Sequence, residues 1–440
     1  MESSNRGRTT SRAEQISHVV RRASMGAHPE LVAELHSTDA AIARVLDLSG
    51  PAPQVPLGAP PASIDAQRPV EVVSTIGWWI EQMRASPRLI EERLVWFWHD
   101  HFATSIAKVR VPYLMAQQHA TVRAHATGNF AEMLHAMAKD PAMLVYLDGN
   151  QNSLRKVNEN FGRECLELFT VGIGGGYTQH DVVEASRAFT GWVVNVPGRR
   201  DSARLERFGA PPWQSIAIPQ RHDAGTKTLF GTTAALDLDG ALDVILEQPA
   251  TGRFVAGKLY RELVGIAADD ATAKRLGDAF ARDWSILALV ESILADEAFL
   301  SDGAVRARVR TPVEKLVGIL QAGGATSFDL GVVRNRAATR PGATGVGEAL
   351  RRIGFVPFVP PNVGGFPRGA GLLGPHQLVH AFDLLQAFET APTVPNDNDA
   401  LFARFGLFDV SRQTRRVIEA EHDPGRRFAL AAMSPEFAVA

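Results

Sequence analysis

The chain has 440 residues, of which 45% are hydrophobic and 21% charged, and its formal net charge is −2 at pH 7 with neutral histidines. This composition is typical of a globular protein with one or two large cores, and it gives no indication of a nucleic-acid surface or a polybasic membrane patch. Cys165 is the single cysteine, so an internal disulfide is excluded.

The N-terminal residues 1–15 are polar and carry Arg8 and Arg12. No apolar run of about seven or more residues follows them, so a secretory signal is not predicted. No stretch reaches about 18 uninterrupted apolar residues, and no integral membrane contact is expected. We therefore expect a soluble, cytoplasmic protein.

Helical periodicity dominates the chain from end to end. We divide it into five segments: an N-terminal helical segment (1–50), a proline-rich linker (51–69), a main helical domain with a small β element (70–322), a loop-rich insert (323–350), and a C-terminal loop with helices (351–440). The linker assignment depends on five prolines, which disfavour both helices and central strands. Another helix is predicted over residues 373–389.

The expected β element consists of two short runs, residues 192–196 and 213–218. Both are rich in β-branched or aromatic residues and are bounded by proline and glycine, a pattern typical of a hairpin. The expected fold class is therefore mainly α: an irregular multi-helix bundle, more than half helix, with one small β-hairpin or ribbon around residues 190–235.

The segment around Glu164 is unusually polar for a helix that otherwise reads as buried. On a regular helix Asn160, Glu164 and Glu167 share one face. A carboxylate beside a core needs a partner, because burying it unpaired costs several kcal/mol or forces its protonation. That partner could be a metal, a substrate or Arg163, which is spaced i, i+4 from Glu167. Arg187 on the next helix is another candidate cation.

Two histidines, His99 and His101, lie at the end of an apolar-aromatic helix. Residues two apart lie about 200° apart on a helix, so they cannot bind one ion unless the helix ends there. They are either ligands or a general base in a dry pocket, or core residues that hydrogen-bond backbone carbonyls. The candidate ligands of a divalent metal are His99, His101 and Glu164.

The dipeptide His222-Asp223 lies in a predicted loop, followed by Gly225 and Lys227. Loop residues held by a rigid scaffold often carry the chemistry of a protein. However, adjacent His and Asp side chains usually point apart. The alternative interpretation is that Asp223 forms a turn and Lys227 is solvated.

Several blocks of sequence, in one order along the chain, resemble a large bacterial family catalogued as domain of unknown function 1800. The resemblance begins from the segment around Glu164, and another block is Trp-Phe-Trp-His-Asp-His-Phe-Ala-Thr-Ser at residues 96–105. The others lie at residues 21–26, 140–148, 157–192, 222–227 and 360–363. The resemblance covers roughly residues 15 to 385. It implies relatedness but no settled biochemical activity, cofactor or substrate.

Two functional hypotheses follow from these residues. In the first, the chain is an enzyme or a small-ligand binder with one polar cavity, whose general acid/base or metal-assisted chemistry needs carboxylates and imidazoles. Its catalytic candidates are His99, His101, Glu164, Glu167, His222 and Asp223. In the second, the chain is a non-catalytic assembly or interaction protein whose polar groups are structural. The proline-rich loop at 360–367 would then be a docking surface for a protein partner.

Overall fold

A computed structural model describes residues 10–66, 70–325, 346–375, 381–382, 384–387 and 393–440. This part of the chain is 58% helical and contains 22 α-helices, which confirms the mainly α prediction. In chain order the helices are α1 Arg12–Ala23, α2 Pro29–Glu34, α3 Thr38–Leu46, α4 Val70–Ala85, α5 Leu89–His101, α6 Ile106–Val109, α7 Pro112–His125, α8 Phe130–Ala138, α9 Pro141–Tyr146, α10 Asn160–Glu164, α11 Gln179–Ala188, α12 Ser202–Arg207, α13 Leu238–Leu246, α14 Pro249–Val264, α15 Asp270–Phe280, α16 Ile286–Leu294, α17 Pro312–Ala322, α18 Val346–Ile353, α19 Asn398–Arg404, α20 Arg412–Glu419, α21 Pro424–Ala432 and α22 Pro435–Ala438.

Helix starts follow the capping signals of the sequence. The Thr178 side chain accepts a hydrogen bond from the backbone N–H of Asp181 at the start of α11, and the Asp181 carboxylate accepts one from the backbone N–H of Thr178. Thr311 and Glu314 form the same reciprocal box at the start of α17. Such boxes satisfy amide donors that have no partner within the helix.

Two small antiparallel sheets lie inside the range predicted for the β element. Strands β1 (Trp192–Val194) and β2 (Ser215–Ala217) pair as expected, with Val193 opposite Ile216. Strands β3 (Lys227–Leu229) and β4 (Thr232–Ala234) form a second hairpin, which the sequence pattern did not indicate. Its two-residue turn has positive φ at both positions, as tight hairpin turns require.

The apolar core of the described residues is one contiguous cluster that runs from Ile16 to Phe437. A second, smaller cluster lies under the first hairpin. The proline-rich residues 51–66 lie against that hairpin, because Trp213 Nε1 donates to the carbonyl of Pro61 at 2.9 Å and Ile64 N–H donates to Pro197 O at 2.7 Å. The five-segment division stays a prediction.

A buried ionic network ties four helices together. Arg93 on α5 is fully buried and contacts Glu262 on α14 at 3.2 Å and Glu314 on α17 at 2.6 Å. It also donates to the carbonyls of Arg21 and Ser24 at the end of α1. A buried guanidinium is tolerated only when nearly all its donors are satisfied by carboxylates and carbonyls.

Two sequence predictions fall partly outside the described residues. Most of the loop-rich insert and parts of the predicted 373–389 helix belong to the ranges that the structure does not describe. Inside the predicted range the described residues Leu384–Ala387 form a 3₁₀ helix, and Gly369–Leu373, which overlaps the start of the range, forms another. Among the described helices, none combines the length and the apolar character needed to span a bilayer.

Candidate functional site

His99 connects the end of α5 to a distant loop. Its Nε2 accepts a hydrogen bond from the backbone N–H of Phe358 at 3.1 Å, and its ring packs edge-on against Trp79 and Phe358 with centroids 5.1 Å away in each case. Burial lowers the pKa of His99 to about 3. The imidazole is therefore neutral, as an accepting Nε2 requires.

Asp100 anchors the same loop from the next position. One carboxylate oxygen accepts from the Phe366 N–H at 2.6 Å, and the other accepts from Arg368 Nε at 3.1 Å. Gly365 has φ of 91° and lies against the Asp100 carboxylate where a Cβ has no room. Only glycine combines that backbone conformation with so close an approach. His99 and Asp100 together fix the loop formed by residues 355–372, which we call the anchored loop.

His101 points to a different neighbour. Its Nε2 donates to the carbonyl of Phe169 at 3.0 Å, and its ring packs edge-on against Phe102 and Trp98. Burial, together with the charge of Lys258, lowers the pKa of His101 well below its usual value. Nδ1 is buried and has no partner among the described residues. The geometry matches the interpretation in which the histidine closes a core by bonding a backbone carbonyl.

The predicted glutamate helix is not regular throughout. It begins as α10 and continues as a π-helical turn, Cys165–Phe169. The Thr170 hydroxyl donates to the carbonyl of Cys165 at 2.6 Å, and Lys258 Nζ lies 3.5 Å from the carbonyl of Leu168. A π turn has i→i+5 instead of i→i+4 hydrogen bonds, so its residues do not keep the α-helical spacing, and the i, i+4, i+7 alignment expected for the carboxylates ends at Glu164.

The two glutamates differ in their partners. Glu167 lies 3.4 Å from Arg163, as its spacing predicted, and Arg163 also pairs with Glu159 at 2.9 Å. Glu164 has no hydrogen bond or ion pair among the described residues. Burial raises the pKa of Glu164, and the charge of Glu167 raises it further against a smaller opposing effect of Arg163.

We expect Glu164→Gln to leave the melting temperature unchanged or slightly higher at pH 8. The pKa of the Glu164 carboxyl is higher in the folded than in the unfolded state. Its contribution to stability is therefore fully present below the unfolded-state pKa and is lost as pH rises through the folded-state pKa. Glutamine does not ionise, so the variant avoids this loss of stability, and its higher melting temperature should disappear towards pH 4. Thermal melts of both proteins from pH 4 to pH 8 test this expectation. Glu167→Gln, which loses an ion pair, is the matched control and should show no gain; a clear drop for Glu164→Gln would contradict the account.

His222 and Asp223 belong to a structural cross-link at the end of α11. Arg187 binds Asp223 at 2.8 and 3.2 Å and Glu184 at 2.8 Å. His222 Nδ1 lies 3.1 Å from the carbonyl of Thr190. Arg187 therefore does not pair with the glutamates around Glu164, because the carboxylates at its own helix end and in this loop hold it.

The structure gives most of the predicted site residues separate partners, and Glu164 has none among the described residues. In the described part of the chain, no hydrogen bond or ion pair joins His99 or His101 to Glu164, Glu167 or His222. No group of three or more His, Cys, Asp or Glu side chains among these residues is arranged to hold a metal ion. The composite cavity stays a prediction without a contact that supports it.

A cavity of about 460 Å³ lies instead between α5, α14 and the anchored loop. One wall is aromatic: the rings of Trp96, Phe355 and Phe366 stack on one another, with centroid separations of 4.5 to 6.0 Å. Asp100 lines the cavity next to this wall. The two motif residues His99 and Asp100 thus act by holding the loop that closes the cavity.

The charged lining of this cavity consists of three arginines and two carboxylates. They are Arg261, Arg308, Arg368, Asp100 and Glu262. Arg308 pairs with Glu314 at 2.9 Å and with Glu262 at 3.6 Å, yet its Nε is buried without a partner among the described residues. Arg261 is exposed and has no ion pair in the same part of the chain. The cavity therefore offers unused cationic donors.

Sequence reasoning identified the motif beside this cavity but not its cationic lining. Arg261, Arg308 and Arg368 lie on three separate elements, and although Arg308 is the middle one of three alternating arginines at 306, 308 and 310, no spacing pattern relates it to the other two. The one available signal was the position of Arg368 directly after the proline-rich loop at 360–367, whose first four residues belong to the resemblance.

A family model described as "Protein of unknown function (DUF1800)" matches residues 18–439. No curated protein and no solved structure matches the chain significantly. The match extends from within α1 to the last residue but one, so it includes every element that lines the cavity.

Proposed function

We propose that this chain, which belongs to the DUF1800 family, binds a small planar anionic ligand in the cavity between α5, α14 and the anchored loop. The observation that carries the proposal is that one cavity is lined by a stacked aromatic wall and by three arginines against two carboxylates. Ligand sites of this size are mostly apolar, with a few placed polar groups that fix orientation.

The aromatic wall favours a flat apolar body. Trp96 and Phe366 lie nearly parallel, with an interplanar angle of 19° and centroids 5.7 Å apart. Stacked rings present faces and edges on which another ring gains contact beyond simple burial of area. Asp100 fixes Phe366 through its backbone N–H, so the wall is organised before a ligand arrives, which lowers the entropic cost of binding.

The arginines favour a carboxylate at one end of that body. Guanidinium groups bind carboxylates with paired, charge-assisted hydrogen bonds. Lys258 adds positive charge behind the cavity: burial first, then Arg368, lowers its pKa to about 8, while Asp100 opposes this. At neutral pH most of this amine is protonated.

Ligand binding is supported better than metal-assisted catalysis through His99, His101 and Glu164. Both histidines are occupied by backbone groups, and Glu164 has no contact with either. A divalent cofactor and a cytoplasmic location remain predictions from the sequence. The non-catalytic assembly or interaction role also remains a prediction from the sequence, and a second cavity elsewhere on the molecule bears on it.

The test compares two probes of equal shape, 2-naphthoate and 2-naphthamide. We expect 2-naphthoate to raise the melting temperature in proportion to the logarithm of its concentration, because a ligand that binds only the folded state stabilises it by mass action. The neutral 2-naphthamide and the small anion acetate should shift the melting temperature much less.

The variant Arg261→Glu serves as the specificity control. Arg261 is exposed and unpaired among the described residues, so the fold should tolerate the change while the anion loses one cation and meets a like charge. Arg275→Glu, on the neighbouring α15, changes charge equally but outside the cavity lining. Equal responses to both probes, or an undiminished response in Arg261→Glu, would contradict the proposal.

A further inference from the structure

A second cavity, of about 370 Å³, lies between β1, α12 and the loop that precedes α10. Its charged lining is simpler than that of the first cavity. Arg155, Arg204 and Arg221 line it, and Asp201 is its single acidic residue. None of the three arginines has an ion pair among the described residues. Arginine without a carboxylate partner beside a cavity is available to an acidic ligand.

The rim of this cavity exposes large apolar side chains. Leu154 is 52% exposed and Phe208 is 50% exposed, and both line the cavity. The Arg204 guanidinium lies 5.8 Å from the ring centroid of Phe208. Exposed apolar residues at a concave surface are typical of interaction sites. Because they stand at the rim, an occupant that covers them must extend beyond the cavity.

Two polar atoms inside the lining also lack partners. Arg221 Nε, a donor, and Asn150 Oδ1, an acceptor, are both buried without a hydrogen bond among the described residues. Buried polar groups are almost always paired. Both residues line the cavity, and a peptide backbone supplies one acceptor and one donor per residue, so an extended segment can pair with these side chains after they change rotamer.

We propose that this groove docks an acidic, hydrophobe-containing peptide segment of a partner protein. Charge complementarity selects the acidic side chains, which reach Arg155 and Arg204. The apolar side chain covers Leu154 and Phe208, and the peptide backbone meets Arg221 and Asn150. The main support is the excess of three unpaired arginines over one aspartate at a half-apolar surface. This groove shares no lining residue with the cavity between α5, α14 and the anchored loop.

The experiment selects phage-displayed random peptides on the full-length wild type, with counter-selection on the double variant Arg155→Glu/Arg204→Glu. Both arginines are exposed, so the variant should fold. We expect enriched peptides that combine Asp or Glu with a leucine or an aromatic residue. The anisotropy of a labelled selected peptide should show roughly tenfold weaker binding to the double variant, because like charges oppose the acidic side chains.

Arg207→Glu is the matched control. Arg207 is exposed on α12, three residues from Arg204, but lies outside the groove lining, so its variant should bind the peptide as the wild type does. Enrichment of peptides without acidic residues, or equal binding to wild type and double variant, would overturn the proposal. Naphthoate-induced stabilisation should be the same in the double variant, so this result is independent of the proposed ligand-binding function.

Discussion

Replacing Arg93 with alanine is expected to lower the free energy of unfolding by about 3–5 kcal/mol, because it removes one of the two arginines that pair with the buried Glu262 and Glu314. Arg93 is fully buried between Glu262 and Glu314, and two carbonyls at the end of α1 accept from it. Chemical denaturation of the wild type and the variant measures the difference.

The same variant should also become sensitive to acid at a higher pH. Burial alone raises the pKa of Glu314, but Arg308 and Arg93 outweigh it and hold that pKa well below the usual range. A lowered pKa stabilises the fold above the unfolded-state pKa, and this contribution is lost as pH falls through the folded value. Without Arg93 the folded-state pKa rises, so the loss begins sooner.

Lys274→Ala is the control for this prediction. Lys274 is 63% exposed and pairs with Asp278 on the surface, where such pairs contribute about 0–1 kcal/mol. If Arg93→Ala unfolds at the same denaturant concentration as Lys274→Ala, the ionic network does not hold the four helices together.

The second large effect is expected for Asp100→Ala, which should release the anchored loop. Loss of the Asp100 carboxylate leaves the buried Phe366 N–H without an acceptor and Arg368 without its ion-pair partner. We expect a loss of about 2–3 kcal/mol. Naphthoate should no longer stabilise the variant, because the aromatic wall loses the contact that positions Phe366.

Limited trypsin digestion gives a local measure of the same change. Trypsin cleaves after arginine, and Arg368 is followed by Gly369 in the anchored loop. Mass spectrometry should find cleavage at this bond sooner in Asp100→Ala than in the wild type. Asp399→Ala, which removes a carboxylate that is 73% exposed and pairs with Arg415, should leave the rate unchanged. Equal cleavage rates in both variants would contradict the anchoring role of Asp100.

The helical architecture was predictable because it depends on local signals. Thr178 and Thr311 begin helices through side-chain contacts three residues away, and apolar spacing marks the buried faces. The hairpin of β1 and β2 was visible for the same reason. The π turn after Glu164 was not, because it is capped by Thr170 and by Lys258, the latter from a helix roughly ninety residues away.

The candidate site was predictable only in part. The aromatic setting of His99 and His101 indicated buried imidazoles, and the proline-rich loop at 360–367 was singled out as a docking surface. Their connection through His99 and Asp100 spans more than 250 positions, and sequence spacing carries no information over that distance. The cationic lining depends on the folded arrangement of three elements, so the positions of its arginines in the sequence gave no signal.

A crystal structure of the wild type with 2-naphthoate tests the central claim most directly. We expect the naphthyl ring to lie against Trp96 and Phe366. The naphthoate carboxylate should lie within hydrogen-bond distance of at least one of Arg261, Arg308 and Arg368. Naphthoate bound elsewhere on the chain, with the cavity between α5, α14 and the anchored loop unoccupied, would contradict it.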